Sequence, residues 1–282
     1  MTAARKPDFV IIGAAKAATT WIQLQLQANP AIFMPDPEPH FFSREYEKGE
    51  DHYLDWFRNH PARATLLGEK SADYLSDAHV AKRMAQMLPD ARLVVQLRNP
   101  VGRAYSDYKM FYRRGEVNDQ PEDYLSDPDN PHPRFLLDGL YGKHLSGWLE
   151  HFPREQLLVF TYEDVSRDPI GVIERVCGHI GAPITINDEL IYKRENNSRE
   201  MLLPLLMRKV LAPFKEPVRP FRGKFWFESA RSLLAREVRY PPLDAGLREH
   251  MEDFYREDIE LTEQLTGLDL SAWKAPATSA VA

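Results

Sequence analysis

The segment Gly13-Ala14-Ala15-Lys16-Ala17-Ala18-Thr19-Thr20 places one lysine and two hydroxyls on a turn of small residues. It follows Phe9-Val10-Ile11-Ile12, an apolar, β-branched run of the kind that forms a buried parallel strand. A helix capped by Thr19 or Thr20 would aim its first backbone N–H groups and its dipole at one point, which favours an anion there. Lys16 adds a point charge and the threonines add donors, so the chemistry is that of a phosphate cradle. The spacing departs from the Walker A pattern, whose lysine comes late, after a second glycine. Here Lys16 comes three residues after Gly13 and no second glycine follows. A lysine this early reaches past a first phosphate toward the group attached to it. The plainer alternative is an incidental Ala/Thr-rich turn between a strand and a helix.

Three more segments carry reactive side chains. Arg92-Leu93-Val94-Val95-Gln96-Leu97 is the clearest strand of the chain and ends in Arg98-Asn99-Pro100, with Pro100 in the first turn of a helix carrying Arg103, Tyr105, Ser106, Asp107 and Tyr108. An arginine at the C-terminal tip of a parallel strand points into the crevice where α/β folds bind ligands. Its fork suits a phosphate dianion, and Ser106 is placed to add a donor. A structural ion pair is the alternative role for Arg98. Pro35-Asp36-Pro37-Glu38-Pro39 has three prolines that fix φ and remove donors, so it is a rigid loop. It presents Glu38 and then His40, two groups able to take a proton. Leu66-Leu67-Gly68-Glu69-Lys70 reads as a strand with Lys70 at its polar tip.

These segments need a frame to meet. Strands alternate with helices over residues 8–182, which predicts an α/β fold: a central parallel sheet flanked by helices, with a helical C-terminal part. Helices are expected around Tyr53–Phe57, Val80–Leu88, Tyr141–Phe152 and Pro169–Ile180, and a helical stripe of Leu247, Met251, Phe254, Leu261 and Leu265 reads as core packing. Residues 1–274 are expected to form a single domain and residues 275–282 a disordered tail. The 282 residues are 43% hydrophobic and 28% charged with net charge -6, which excludes a general attraction to nucleic acid or anionic lipid. Any bound anion needs a local basic pocket. Residues 193–236 hold 11 Lys/Arg against 4 Asp/Glu, and residues 237–269 hold 10 Asp/Glu against 3 Arg. These are either two solvated faces or, for the basic part, a segment folding over an anionic ligand. The one cysteine, Cys177, forms no intrachain disulfide and reads as a buried helix residue. The apolar run Phe9–Ala15 is too short for a membrane span, and the expected location is cytoplasmic. No histidine pair has metal-ligand spacing, so no metal is expected.

Taken in order, the segments resemble the PAPS-dependent sulfotransferase family, most closely the branch of heparan sulfate N- and O-sulfotransferases and their bacterial relatives. PAPS is 3′-phosphoadenosine 5′-phosphosulfate. Lys16-Ala17-Ala18-Thr19-Thr20 matches the family's Lys-x-x-Thr-Thr motif, and Arg98-Asn99-Pro100 with Arg103 and Ser106-Asp107-Tyr108 matches its Arg-Asp-Pro segment. Glu38-Pro39-His40-Phe41-Phe42 and Glu69-Lys70-Ser71 match two further loops, and Trp148–Pro153 and Leu265–Leu270 are also family-like. The resemblance implies a P-loop-like sulfotransferase fold and in-line transfer of a sulfuryl group from PAPS to a hydroxyl or amine, releasing PAP. It implies that Lys16, Ala17, Ala18, Thr19, Thr20 and Trp21 bind the 5′ side of the donor. Arg98 and Ser106 would hold the 3′-phosphate, and Asn196-Asn197-Ser198-Arg199 would replace a disulfide-bearing loop of the heparan enzymes, with Asn197, Ser198 and Arg199 against the donor. Lys16 and Lys70 would stabilise charge at the reaction centre, and Glu38 would be the base. His40 is the second candidate base; its plainer role is to anchor the loop beside Phe41 and Phe42. Where the family often has glycine this chain has Ala17 and Ala18, which predicts that these positions avoid positive φ.

The acceptor expected from the resemblance is a carbohydrate or a glycosylated small molecule, gripped by loops within residues 43–60, 113–140 and 200–236. Trp56, Tyr112, Trp226 and Phe227 are candidates to stack on it, against the plainer role of packing. Two rival functions remain open to the sequence. A P-loop kinase would want a late lysine and an acidic magnesium ligand at a strand end, whereas the strongest strand ends in Arg98. A non-catalytic nucleotide- or glycan-binding protein would keep Lys16 and Arg98 but have no need of Glu38 and Lys70.

Overall fold

The computed structural model describes residues 5–191, 201–202 and 236–274. Its β-branched and apolar runs become five parallel strands, β1 Phe9–Gly13, β2 Ile32–Phe33, β3 Leu66–Lys70, β4 Arg92–Leu97 and β5 Leu157–Thr161. They lie in the order β2-β3-β1-β4-β5. The chain fills the β3 side of β1 first and then crosses to the β4 side, so the switch point lies between β1 and β4, where open α/β sheets bind ligands. The register makes the strand ends coincide. Ile11 sits beside Lys70 and Val94, Gly13 beside Val95, and Leu97 beside Thr161. The loops after β1, β3, β4 and β5 therefore leave the sheet along one edge.

Helices α1 Thr19–Gln27, α2 Glu50–Asp55, α3 Val80–Met87, α4 Pro100–Arg114, α5 Glu122–Leu125, α6 Arg134–Leu137, α7 Tyr141–Leu149, α8 Tyr162–Arg167, α9 Pro169–Ile180 and α10 Asp188–Ile191 follow the strands, and α11 Ala245–Thr266 and α12 Ser271–Lys274 close the described chain. A short antiparallel pair, β6 Met201–Leu202 and β7 Arg236–Glu237, stands apart from the main sheet. Alternation along the strands divides the core in two. Val10, Ile12, Leu93, Val95 and Leu97 face α3, α4, α7 and α11. Phe9, Ile11, Val94 and Phe160 face α1 and α9, where Cys177 is buried as expected. Each such large side chain contributes about 1.5–3 kcal/mol by leaving water. Gly68 of β3 is required by its neighbour, because a Cβ there would lie 2.1 Å from the Phe9 ring.

Several sequence expectations shift. β2 was not foreseen; it is two residues long, too short to show a period, and is held by Asn29, whose side chain accepts from the Ala31 N–H and donates to the Pro183 carbonyl at 2.7 Å. The helix expected over Tyr141–Phe152 stops at Leu149, ahead of Pro153. In α11 the buried stripe is Leu247, Met251, Tyr255, Ile259 and Thr262, so Phe254, Leu261 and Leu265 flank it and do not form its centre. Among the described residues no helix is long and apolar enough to cross a membrane.

Candidate active site

The turn after β1 is pinned to β4 from below. Ala14 N–H donates to the Gln96 carbonyl at 2.7 Å, and the buried Gln96 side chain donates to the Ala17 carbonyl at 2.7 Å. Arg98 Nη1 donates to the Lys16 carbonyl at 3.3 Å. The turn therefore carries its shape into α1, whose opening residues Thr19 and Thr20 have N–H groups with no intrahelical acceptor. Neither threonine caps the helix. The N-cap is Ala18, left-handed at φ 66°, without a side-chain hydrogen bond. Lys16 is also left-handed, at φ 69°. The expectation that alanine here avoids positive φ is thus wrong for Ala18. The tight reversal needs the left-handed state, which costs a non-glycine residue about 1–2 kcal/mol.

Lys16 Nζ lies 3.5 Å from Met110 Sδ on α4. Burial lowers its pKa, the Asp107 carboxylate pulls it back up, and Arg113, Arg114 and Arg134 push it down again. Trp21 is turned away from the loop crest. Only 7% exposed, it packs in the α1–α9 core and its Nε1 donates to the Ile191 carbonyl.

The second station stands across the switch point. Asn99 caps α4 by accepting from Gly102 N–H, and Pro100 fills the first turn, so Arg98 is fixed at the mouth. Its guanidinium lies 5.3 Å from the centre of the Tyr162 ring. It lines a cavity of about 550 Å³ with Gly102, Tyr162, Ser166, Arg167 and Arg248. Half-buried Ser106 lies on the second turn of α4. Lys109 follows it, with Nζ 4.7 Å from the Tyr105 ring centre, and its pKa is lowered by burial and by the nearby Arg98 charge. Arg103, in contrast, belongs to the core. It is fully buried, donates to the Arg134 and Phe135 carbonyls and lies 3.6 Å from Asp107. Its matching position in the sequence motif thus reports packing of α6 on α4.

On the other side of the β1 turn from Arg98, the rigid proline loop meets the end of β3. Lys70 Nζ, 3% exposed, pairs with Glu38 Oε1 at 2.8 Å and lies 3.4 Å from Thr20 Oγ1. Glu38 Oε2 accepts from Ala72 N–H at 3.0 Å and lies 3.9 Å from His40 Nε2. A lysine from the end of β3 and a carboxylate and an imidazole from the proline loop therefore converge beside the first turn of α1. His40 is itself left-handed at φ 50°, with its N–H held by Ser71 Oγ at 2.9 Å. Its Nδ1 lies 2.7 Å from Asp73 Oδ1. Asp73, Ser71 and Ser43 were not singled out from the sequence, although Ser71 and Asp73 lie in the segment that carries Lys70.

Behind Lys70, on the other face of β3, Glu69 is fully buried among Phe41, Phe42, Tyr53 and Tyr74. It accepts from the Tyr53 hydroxyl at 2.9 Å, and its Oε2 has no hydrogen-bond partner. Burial pushes its pKa up to about 8 against the pull of the two tyrosine hydroxyls, and the Asp73 and Glu38 charges add to the rise.

The geometry thus brings together Lys16, Ala17, Ala18, Thr19 and Thr20 on one loop, Arg98 bonded to it, and Thr20, Lys70, Glu38 and His40 at one point. Trp56 and Tyr112 pack half-buried on the main core. Asn197, Ser198, Arg199, Trp226 and Phe227, and almost all of the basic stretch 193–236, lie outside the described residues. An extended ligand with an anionic group at each end fits the residues present, since Arg98 stands at a cavity on one side and a helix N-terminus with Lys16 on the other.

The profile of the sulfotransferase domain family matches residues 6–204. The chain is 31% identical over 259 residues to the heparan sulfate glucosamine 3-O-sulfotransferase 3B1 of Mus musculus, covering 80% of this chain and 64% of that protein. It is 29% identical over 300 residues to the bifunctional heparan sulfate N-deacetylase/N-sulfotransferase 3 of Homo sapiens, covering 96% of this chain and 31% of that one. It therefore spans less than two thirds of the length of either relative. A sulfotransferase from Alicyclobacillus acidocaldarius has the same fold, with a TM-score of 0.71 at 24% identity over 96% of this chain and all of that one.

Proposed function

The chain belongs to the sulfotransferase domain family, and from that premise we propose that it transfers a sulfuryl group from PAPS to a hydroxyl, or an amine, of a carbohydrate acceptor. The observation that carries this reading is the meeting of Glu38, Lys70 and Thr20 within 3.4 Å contacts beside the phosphate turn. The acceptor class is supported by the relatives, which by name act on heparan sulfate. A non-catalytic binding protein would have no use for a lysine buried to 3% exposure beside Glu38, because a buried ammonium costs several kcal/mol to desolvate.

When bound, PAPS supplies the sulfuryl group and leaves as PAP. The residues of the chain hold it and handle charge. The N–H groups of Thr19 and Thr20 and the Lys16 ammonium hold the 5′-phosphate side, and Lys16 neutralises charge that builds there. Arg98 and Ser106 hold the 3′-phosphate. Lys70, anchored by Glu38 and Thr20, faces the sulfuryl group. Glu38 is fixed at Oε1 by Lys70 and at Oε2 by Ala72 N–H, so its remaining lone pairs are preorganised to accept the proton of the attacking hydroxyl. Positioning and electrostatics suffice because the enzyme forms no covalent bond of its own.

The test is PAP release from PAPS with heparan-type and simple glycoside acceptors, measured for the wild type and Glu38→Gln. Turnover in the wild type and a kcat lower by about 100- to 10,000-fold in the variant are expected. PAP should still raise the melting temperature of the variant. Wild-type turnover by Glu38→Gln would remove Glu38 as the base.

A further inference from the structure

His40 is held more firmly than a loop anchor needs to be. Its backbone is in the left-handed region at φ 50°, a conformation that costs a non-glycine residue about 1–3 kcal/mol and collects at functional sites. Ser71 Oγ accepts its N–H at 2.9 Å. Its ring is clamped at one nitrogen, with Nδ1 2.7 Å from Asp73 Oδ1. Asp73 Oδ2 is already taken by Ser43 Oγ and Arg44 Nη2, each at 3.1 Å, which leaves Oδ1 for the imidazole. An ionised carboxylate is acceptor-only, so Nδ1 must be the donor in this contact. Burial raises the Asp73 pKa, but the His40 hydrogen bond and charge, Arg44 and Ser43 outweigh it and keep the carboxyl below the usual range. The other ring nitrogen, Nε2, then faces Glu38 Oε2 at 3.9 Å, a gap that one bridging water or a small ring rotation closes. The His40 side chain is 27% exposed, so it also reaches solvent.

We propose that Asp73 is a positioning residue that fixes His40 with Nδ1 protonated and Nε2 open toward Glu38, making His40 the outlet for the proton that Glu38 collects. The proposal rests on the sulfotransferase reading above. As the acceptor oxygen bonds to sulfur and the donor's sulfur–oxygen bond breaks, the hydroxyl proton goes to Glu38. It passes to His40 Nε2, giving an imidazolium flanked by Asp73, and then to water, which restores both groups. Glu38 is thereby returned to the ionised state that pairs with Lys70. The charged groups that bear on His40 are Glu38 from its own loop, Asp73 from the turn after β3, Arg44 through Asp73, and Lys70 through Glu38.

Two measurements test this. Nitrogen-15 NMR of histidine-labelled protein above pH 8 should show His40 as the Nδ1–H tautomer in the wild type and lose that preference in Asp73→Ala. In steady-state kinetics, Asp73→Ala should lower kcat about 10- to 100-fold, a part of what a positioned proton acceptor contributes. The KM for PAPS and the melting shift caused by PAP should change less than twofold. Asp73→Asn, which still offers an oxygen to Nδ1, should fall between the two. An Nε2–H tautomer in the wild type overturns the proposal, and so does an Asp73→Ala enzyme with unchanged kcat. If Asp73→Ala does not fold, the wild-type tautomer decides alone. A wild type that transfers no sulfuryl group to any acceptor would count against the sulfotransferase reading, while the tautomer would still report on Asp73.

Discussion

Glu69→Gln should flatten the pH dependence of stability. In the folded chain the Glu69 carboxyl is sealed among aromatic rings with its pKa pushed from an ordinary 4.5 to about 8. The unfolded chain ionises at the ordinary value. Below about pH 4.5 both states hold the proton and Glu69 imposes no penalty. As the pH rises toward 8 the unfolded state is increasingly favoured, and above 8 the loss levels off. Each unit of that gap is worth about 1.4 kcal/mol, so the whole window is worth at most about 5 kcal/mol. For a chain of this size that is about 3 °C in melting temperature per pH unit between pH 5 and 7.5. Glutamine keeps an oxygen for the Tyr53 hydroxyl but does not titrate. It also buries an amide donor where Oε2 now has no partner, costing about 1–3 kcal/mol at every pH. The slope, and not the absolute stability, is therefore the readout. Thermal unfolding of both proteins from pH 5 to 8 should give curves that converge, or cross, as the pH rises. Parallel curves would refute the assignment of a buried, proton-holding Glu69.

Two further outcomes follow from the turn after β1. Ala18→Gly relieves a left-handed alanine at the N-cap of α1. After the entropy that glycine adds to the unfolded chain, it should raise stability by about 0.5–1 kcal/mol in denaturant melts, and a destabilised variant would contradict the turn geometry. Lys16 titrates below its ordinary 10.5, first because it is buried. A phosphate beside it pulls the value back up, so PAP binding near pH 9 should take up a proton. Calorimetry in two buffers of different ionisation enthalpy measures that uptake, and proton release or no exchange would place Lys16 away from the phosphate.

The strands were legible because each holds a short apolar run: Phe9–Ile12, Leu66–Leu67 and Leu93–Val95 fall in β1, β3 and β4, where the sequence puts them. Arg98 and Lys70 could be read as candidate site residues because each stands at the C-terminal tip of a strand, and the strand ends share one edge. What could not be read depends on distances through space. Lys70 and Glu38 are 32 positions apart, and His40 and Asp73 are 33 apart. Only the parallel pairing of β2, which leads into the proline loop, with β3 brings that loop over the end of β3. The left-handed Ala18 was missed because residue preference argues against it, and only the pins from Gln96 and Arg98 force the reversal. Arg103 was read with its motif, but nothing in its spacing distinguishes a guanidinium facing α6 from one facing the crevice.

Whether the 3′-phosphate is read is the most direct question to put to the molecule. PAP and AMP differ only in that group. Melting temperatures should be recorded with each nucleotide at equal concentration, for the wild type and for Arg98→Ala. At a hundred times Kd a ligand adds about 2.7 kcal/mol, which is about 5–10 °C for a chain of this size. The expected result is a shift of that order with PAP, little with AMP, and a PAP shift reduced to the AMP level in Arg98→Ala. Equal shifts for PAP and AMP, or a PAP shift untouched by the substitution, would contradict a donor site built on Arg98.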